Sequence, residues 1–115
     1  MSKLLEALEN WGCDIKGAME RFLDDEELYV TCLETVIMDE AFEKLGVALE
    51  QKQIQEAFDY AHTLKGVFAN LGLKPMYLSV ERRVEPLRAG NGENLETAYK
   101  ELLEANDYLK QLLGK

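Results

Sequence analysis

Apolar residues recur along this chain at intervals of three and four, the spacing that gathers them on one face of a helix. No stretch alternates with period two, and Asn91-Gly92 sits between helical patterns rather than between strand-like runs. Leu4, Leu5, Leu8 and Trp11 predict a short helix ending near Gly12, and a second short helix is expected over about Gly17 to Leu23. Asp24 or Asp25 can cap the next helix, with Glu26 and Glu27 in a first turn that favours negative charge. That helix carries Leu28, Tyr29, Cys32, Leu33, Val36 and Ile37. The pattern resumes as Phe42, Leu45, Val47 and Leu49 after a shift near Met38-Asp39, which leaves one long helix or two.

A polar break at Glu50 to Lys52 precedes a helix from about Gln53 to Leu71, whose apolar face is Ile54, Ala57, Phe58, Ala61, Leu64, Phe68 and Leu71. Gly72 is a natural stop. Lys74-Pro75 then opens a further helix, since proline suits a first turn, with Met76, Leu78, Val80, Val84 and Leu87 as its apolar positions. Ala89-Gly90-Asn91-Gly92 marks the clearest turn. The last helix holds Leu95, Ala98, Tyr99, Leu102, Leu103, Ala105, Tyr108, Leu109, Leu112 and Leu113. The expected fold is all-α: an antiparallel up-down four-helix bundle with one or two short N-terminal helices.

Composition narrows the function. The chain has 115 residues, which fits one domain over 1-115, and its 47% apolar and 30% charged residues describe a folded globular chain, not a disordered one. A net charge of -9 argues against nucleic acid and against an anionic membrane surface. Cys13 and Cys32 have neither disulfide-framework nor metal-site spacing, so a reducing compartment is expected. No signal peptide or membrane span is read, and the chain is expected to be a complete cytoplasmic protein.

One run concentrates the chemistry: Ala61-His62-Thr63-Leu64-Lys65-Gly66-Val67-Phe68-Ala69-Asn70-Leu71-Gly72, around the sole histidine. On a helix, Lys65 and Gly66 fall beside His62 one turn later. A helical glycine costs roughly 1 kcal/mol relative to alanine, so space beside the imidazole is a reason to accept it. At roughly 100° per residue, His62 lies roughly 120° from the middle of the apolar arc, at the solvent or the bundle edge. Lys65 lies nearer that arc, so its stem can follow apolar surface while its ammonium reaches outward.

An exposed imidazole is nucleophilic near neutral pH. No serine or cysteine beside it supports a hydrolytic triad, and one histidine falls short of a zinc site, so no metal is expected. What remains is an imidazole that receives a group and passes it on. A phosphoryl group fits, because Lys65 offers positive charge to its oxygens and Gly66 lets a partner approach.

These residues resemble a known family. His62-x-Leu64-Lys65-Gly66, followed by Leu71-Gly72, is similar to the signature of histidine-containing phosphotransfer (HPt) domains. Asp24-Asp25-Glu26-Glu27-Leu28-Tyr29 resembles the family's entry into its first bundle helix. The stretch from Val80 to Asn91 resembles its next helix and turn. Val67 and Phe68 depart from the small residues that often follow the Lys-Gly pair. Phe68 falls in the core arc and is expected to add packing without blocking the site. Pro86 is expected to kink its helix.

The resemblance implies a phosphorelay carrier with His62 as phosphoacceptor, Lys65 stabilising the phosphate and Gly66 giving the partner clearance. Response-regulator receiver domains, a hybrid histidine kinase being one source, are the implied partners. They supply Mg2+ and most of the catalysis, and this chain binds no cofactor. Docking is expected around Met38, Phe42 and Ala69. No Gly-rich nucleotide loop is present, so the chain is expected to be a carrier and not a kinase, and a monomer. Two other readings stand beside this one: a helical module that binds a receiver or kinase without carrying phosphate, and a structural or oligomerisation module.

Overall fold

The computed structural model describes residues 2–83 and 95–115, and within them every regular element is a helix. The order is α1 (Lys3–Trp11), α2 (Ile15–Arg21), α3 (Glu26–Ile37), α4 (Ala41–Glu50), α5 (Ile54–Asn70), α6 (Lys74–Arg83) and α7 (Leu95–Leu112). Val84, Pro86, Leu87 and the Ala89-Gly92 turn lie outside the described residues.

Local chemistry sets most of the boundaries. The Ser2 hydroxyl accepts from the Leu5 amide at 3.1 Å to start α1, and Gly12, at φ 113°, ends it. Asp14 caps α2 through the Gly17 amide at 3.1 Å. That cap starts the helix at Ile15, earlier than the expected Gly17, because Ile15 belongs to the core and not to the loop. The same element stops at Arg21 instead of Leu23, since Leu23 and Asp24 both adopt left-handed backbone, at φ 53° and 61°. Of the two candidate caps for α3, Asp25 serves, accepting from the Leu28 amide at 3.0 Å. The shift at Met38-Asp39 is a true break: the Asp39 carboxylate accepts from the Ala41 amide at 2.8 Å and α4 begins there. Gly72, at φ 68°, ends α5 as expected, and Pro75 stands in the first turn of α6.

Helices α4 and α5 pack side by side, α5 lies against α6, and α6 against α7. Helices α3 and α4 both pack on α7, and α1 contacts α2 and α7. Tyr29, Leu33, Leu45, Leu64, Phe68, Leu73, Met76, Val80, Leu102 and Leu109 form the innermost part of one core. Ala57, Ala61, Leu64, Phe68 and Leu71 are buried as the spacing requires, whereas Ile54 and Phe58 are half-buried at its margin.

Three buried or partly buried side chains tie helix ends together. The Tyr29 hydroxyl donates to the Leu71 carbonyl at 2.7 Å, joining α3 to the end of α5. Tyr99 donates to the Phe42 carbonyl at 2.9 Å, and the Asn106 amide to the Ile37 carbonyl at 3.3 Å, joining α7 to the end of α3 and the start of α4. The bonds to Leu71 and Ile37 satisfy backbone oxygens that the ends of α5 and α3 would otherwise leave without a partner, and Tyr99 adds a second donor to the Phe42 oxygen.

Candidate functional site

Helix α5 carries the site because its buried arc fixes its rotation. With Ala57, Ala61, Leu64 and Phe68 held in the core, His62 is turned out and is exposed. Its ring stacks on Phe58, one turn earlier, with centroids 5.9 Å apart and planes inclined by 20°. Stacking covers a face of the imidazole and leaves its edge, where both nitrogens sit, clear of Phe58. No hydrogen bond to either nitrogen is found among the described residues. Asp59, also one turn back, is engaged elsewhere: its carboxylate accepts from the Gln55 amide at 3.0 Å and its carbonyl from the Thr63 hydroxyl. Among the described residues the imidazole is therefore placed by packing, and no carboxylate orients it as in a triad.

Gly66 is exposed on the next turn, and a Cβ built there would meet nothing within 4 Å. Packing among the described residues does not require a glycine at that position. The contrast is Gly46 in α4, where a Cβ would run into the Tyr99 ring. One helical glycine is explained by a neighbour within the chain, the other is not.

Lys65 departs from expectation. Its stem is half-buried, but its ammonium turns to α6, where the Glu81 carboxylate lies 3.8 Å away and the Tyr77 ring centroid 5.5 Å away. Tyr77 and Glu81 are four residues apart, so one face of α6 presents both to the same ammonium. Neither was legible in the sequence as part of the site. An i,i+4 aromatic-acid pair is common on helices, and only the α5–α6 packing aims it at Lys65.

Ala69 is exposed on the His62 face, two turns on, and it borders a cleft of about 560 Å³ lined also by Arg21, Phe68, Lys74, Tyr77 and Leu78. Arg21 donates to the Asn70 carbonyl at 2.8 Å and the Ala69 carbonyl at 3.3 Å, placing a cation at the negative end of α5.

The other two residues expected to dock differ in exposure. Phe42 is only 6% exposed and packs on Phe68 with centroids 6.1 Å apart, so it is a core residue. Its spacing, with Leu45 three residues on, faces α5 inward. Met38 is exposed, and the clefts it borders are lined by α3, the α3–α4 turn, Lys110 of α7 and Lys115. No residue of α5 lines either cleft. Phe68, the departure within the motif, is fully buried and leaves the site open.

No group of three or more His, Cys, Asp or Glu side chains among the described residues could hold a metal ion. Among these residues no helix is long and apolar enough to cross a membrane. No curated protein and no solved structure matched the chain. A family model for the Hpt domain matches residues 27–113, which run from the first turn of α3 to the residue after α7 and enclose the whole α5 site. An exposed histidine followed by Lys65 and Gly66 on an all-helical chain matched over that length places this protein in the Hpt domain family, the phosphocarriers of histidine phosphotransfer in phosphorelays.

Proposed function

We propose that this chain carries a phosphoryl group on His62 between receiver-domain aspartates. The observation that carries the reading is the pairing of an exposed, packed imidazole with a glycine one turn later whose missing Cβ would meet nothing among the described residues. The unprotonated ring nitrogen attacks phosphorus of the receiver's acyl phosphate. A P–N bond forms, the P–O bond to the aspartate breaks, and the carboxylate leaves with the electron pair. The other ring nitrogen keeps its proton, and the reverse sequence delivers the group to a second receiver.

The division of labour follows from what surrounds His62. Lys65 offers charge to the phosphoryl oxygens, Gly66 leaves room for the receiver, and the surface running on to Ala69 receives it. The receiver supplies Mg2+ and the remaining catalytic groups, and this chain has no kinase activity of its own. We read α3 with α4, α5, α6 and α7 as the four legs of an antiparallel up-down bundle, with α1 and α2 as short N-terminal additions in a single domain. Packing of α4 on α5, α5 on α6, α6 on α7, and α7 back on α3 and α4 supports that reading. Cytoplasmic location and a monomeric state complete it.

The test is incubation with a phosphorylated receiver. Wild type should gain an acid-labile, alkali-stable label that His62→Gln lacks. Undiminished labelling of His62→Gln would sink the proposal. Receiver binding with no label on wild type would favour a module that docks without carrying phosphate.

A further inference from the structure

The ammonium that the reading assigns to the phosphoryl group is already engaged. Lys65 bridges from α5 to α6, 3.8 Å from the Glu81 carboxylate and over the Tyr77 ring at 5.5 Å. Its side chain is 20% exposed and that of Glu81 42%, so the pair sits at the rim of the α5–α6 groove, within reach of solvent. We propose that Glu81 is a positioning residue for Lys65: it holds the ammonium on α6 while His62 is unmodified, and yields it to the phosphoryl group once His62 carries one. This rests on the phosphocarrier reading.

The physical argument is competition for one cation. Residues three apart on a helix are neighbours, and the four-carbon lysine stem spans the gap between the Glu81 side and the His62 side. A phosphoryl group brings more negative charge than a carboxylate and three acceptor oxygens, so it outcompetes Glu81 when present. A half-exposed ion pair is weak, which lets it open during a transfer. Tyr77 keeps the stem and ammonium on the rim in the meantime, through a cation–π contact that asks for no second charge. The arrangement has a use. A carrier that both accepts and donates needs a phosphorylated state of intermediate stability, and breaking the Lys65–Glu81 pair offsets part of what Lys65 contributes to it. Glu81 thereby keeps the phosphohistidine from becoming a trap.

Phosphoramidate provides a test that needs no identified partner. The imidazole nitrogen attacks its phosphorus, the donor's P–N bond breaks, and ammonia leaves. Initial labelling rates are compared for wild type, Glu81→Gln, Lys65→Met and the double variant, after matching thermal melts establish that each is folded. Glu81→Gln should label about two- to five-fold faster than wild type, the range expected from releasing a half-exposed ion pair. In the Lys65→Met background the same change should have little effect. Side-chain NMR of Lys65 supplies the second readout. Its Cε–Hε signals should differ between wild type and Glu81→Gln before labelling and coincide after it. Equal rates for wild type and Glu81→Gln would overturn the proposal. So would an equal gain with and without Lys65, since Glu81 would then act on the donor by its own charge. Labelling of His62 with either of these results leaves the carrier reading standing, whereas absence of label on wild type overturns both.

Discussion

The His62 imidazole rests on a phenyl ring with no hydrogen bond from the described residues, and that distinguishes it from a catalytic base in a triad. Phe58 limits its rotation, and the nitrogens at the ring edge stay available. The two cysteines show the opposite fate. Cys32 is half-buried, while burial pushes the Cys13 thiol up from 9.0 to about 12. At pH 8 a thiol reagent should therefore modify Cys32 in the folded protein and reach Cys13 only on unfolding, which mass spectrometry of the modified chain checks. The folded state keeps the Cys13 proton that the unfolded chain releases above about 9, so stability linked to Cys13 is intact below that pH and is lost as pH rises towards about 12. Cys13→Ala should flatten that alkaline fall in a pH series of denaturant melts. Tyr29, also raised by burial first of all, adds to the same alkaline arm and would leave part of it in place.

At the scale of the element, two helical glycines separate packing from function. In α5, Gly66 has open space around its missing Cβ, so Gly66→Ala should stabilise the protein by about 0.5–1 kcal/mol through helix propensity. In α4, Gly46 lies under Tyr99, so Gly46→Ala should destabilise it by about 1–3 kcal/mol and loosen the Tyr99 bond to the Phe42 carbonyl. Denaturant melts of the two variants should thus move in opposite directions. The clearance role proposed for Gly66 has its own readout in Gly66→Met: transfer from a receiver should slow, while labelling by the much smaller phosphoramidate should hold at the wild-type rate. Equal slowing with both donors would point to damage at His62 and away from clearance.

At the scale of the whole molecule, the family match begins at residue 27, yet the core does not. Leu5, Leu8, Ile15 and Ala18 are buried, Trp11 packs on Tyr108 of α7 with centroids 5.0 Å apart, and Arg21 caps the carbonyl end of α5. Helices α1 and α2 thus cover one side of the core and hold the helix that carries His62. A chain beginning at Asp25 should lose at least about 2 kcal/mol of stability and bind a hydrophobic dye, because the surface beneath those four side chains would meet water. Calorimetry and dye fluorescence against the full chain check this.

Much of this fold is legible in the order of residues. Apolar spacing places α5, α7 and the start of α6 within a residue or so, since long amphipathic periods and a proline in the first turn are strong local signals. Rotation of α5 follows from the same spacing, which is why the exposure of His62 is readable. The beginning of α2 is not, because a cap at Asp14 competes on nearly equal terms with a later start until Ile15 finds the core. The burial of Phe42 is not readable from spacing either, because the break at Asp39 resets the direction of the α4 side chains relative to α5.

The sequence by itself determined the all-helical class, the exposed histidine, its lysine and glycine neighbours, and the resemblance that residues 27–113 bear to Hpt domains. These are local quantities, set by periodicity within one helix and by a short motif. The tertiary structure alone decided where Lys65 points, which glycine serves packing, and which apolar residues are buried. Those depend on residues brought together across helices: Glu81 and Tyr77 beside Lys65, Tyr99 over Gly46, and Phe42 against Phe68. Helical spacing ranks the faces of one cylinder, and it carries no information about what the next cylinder presents to them.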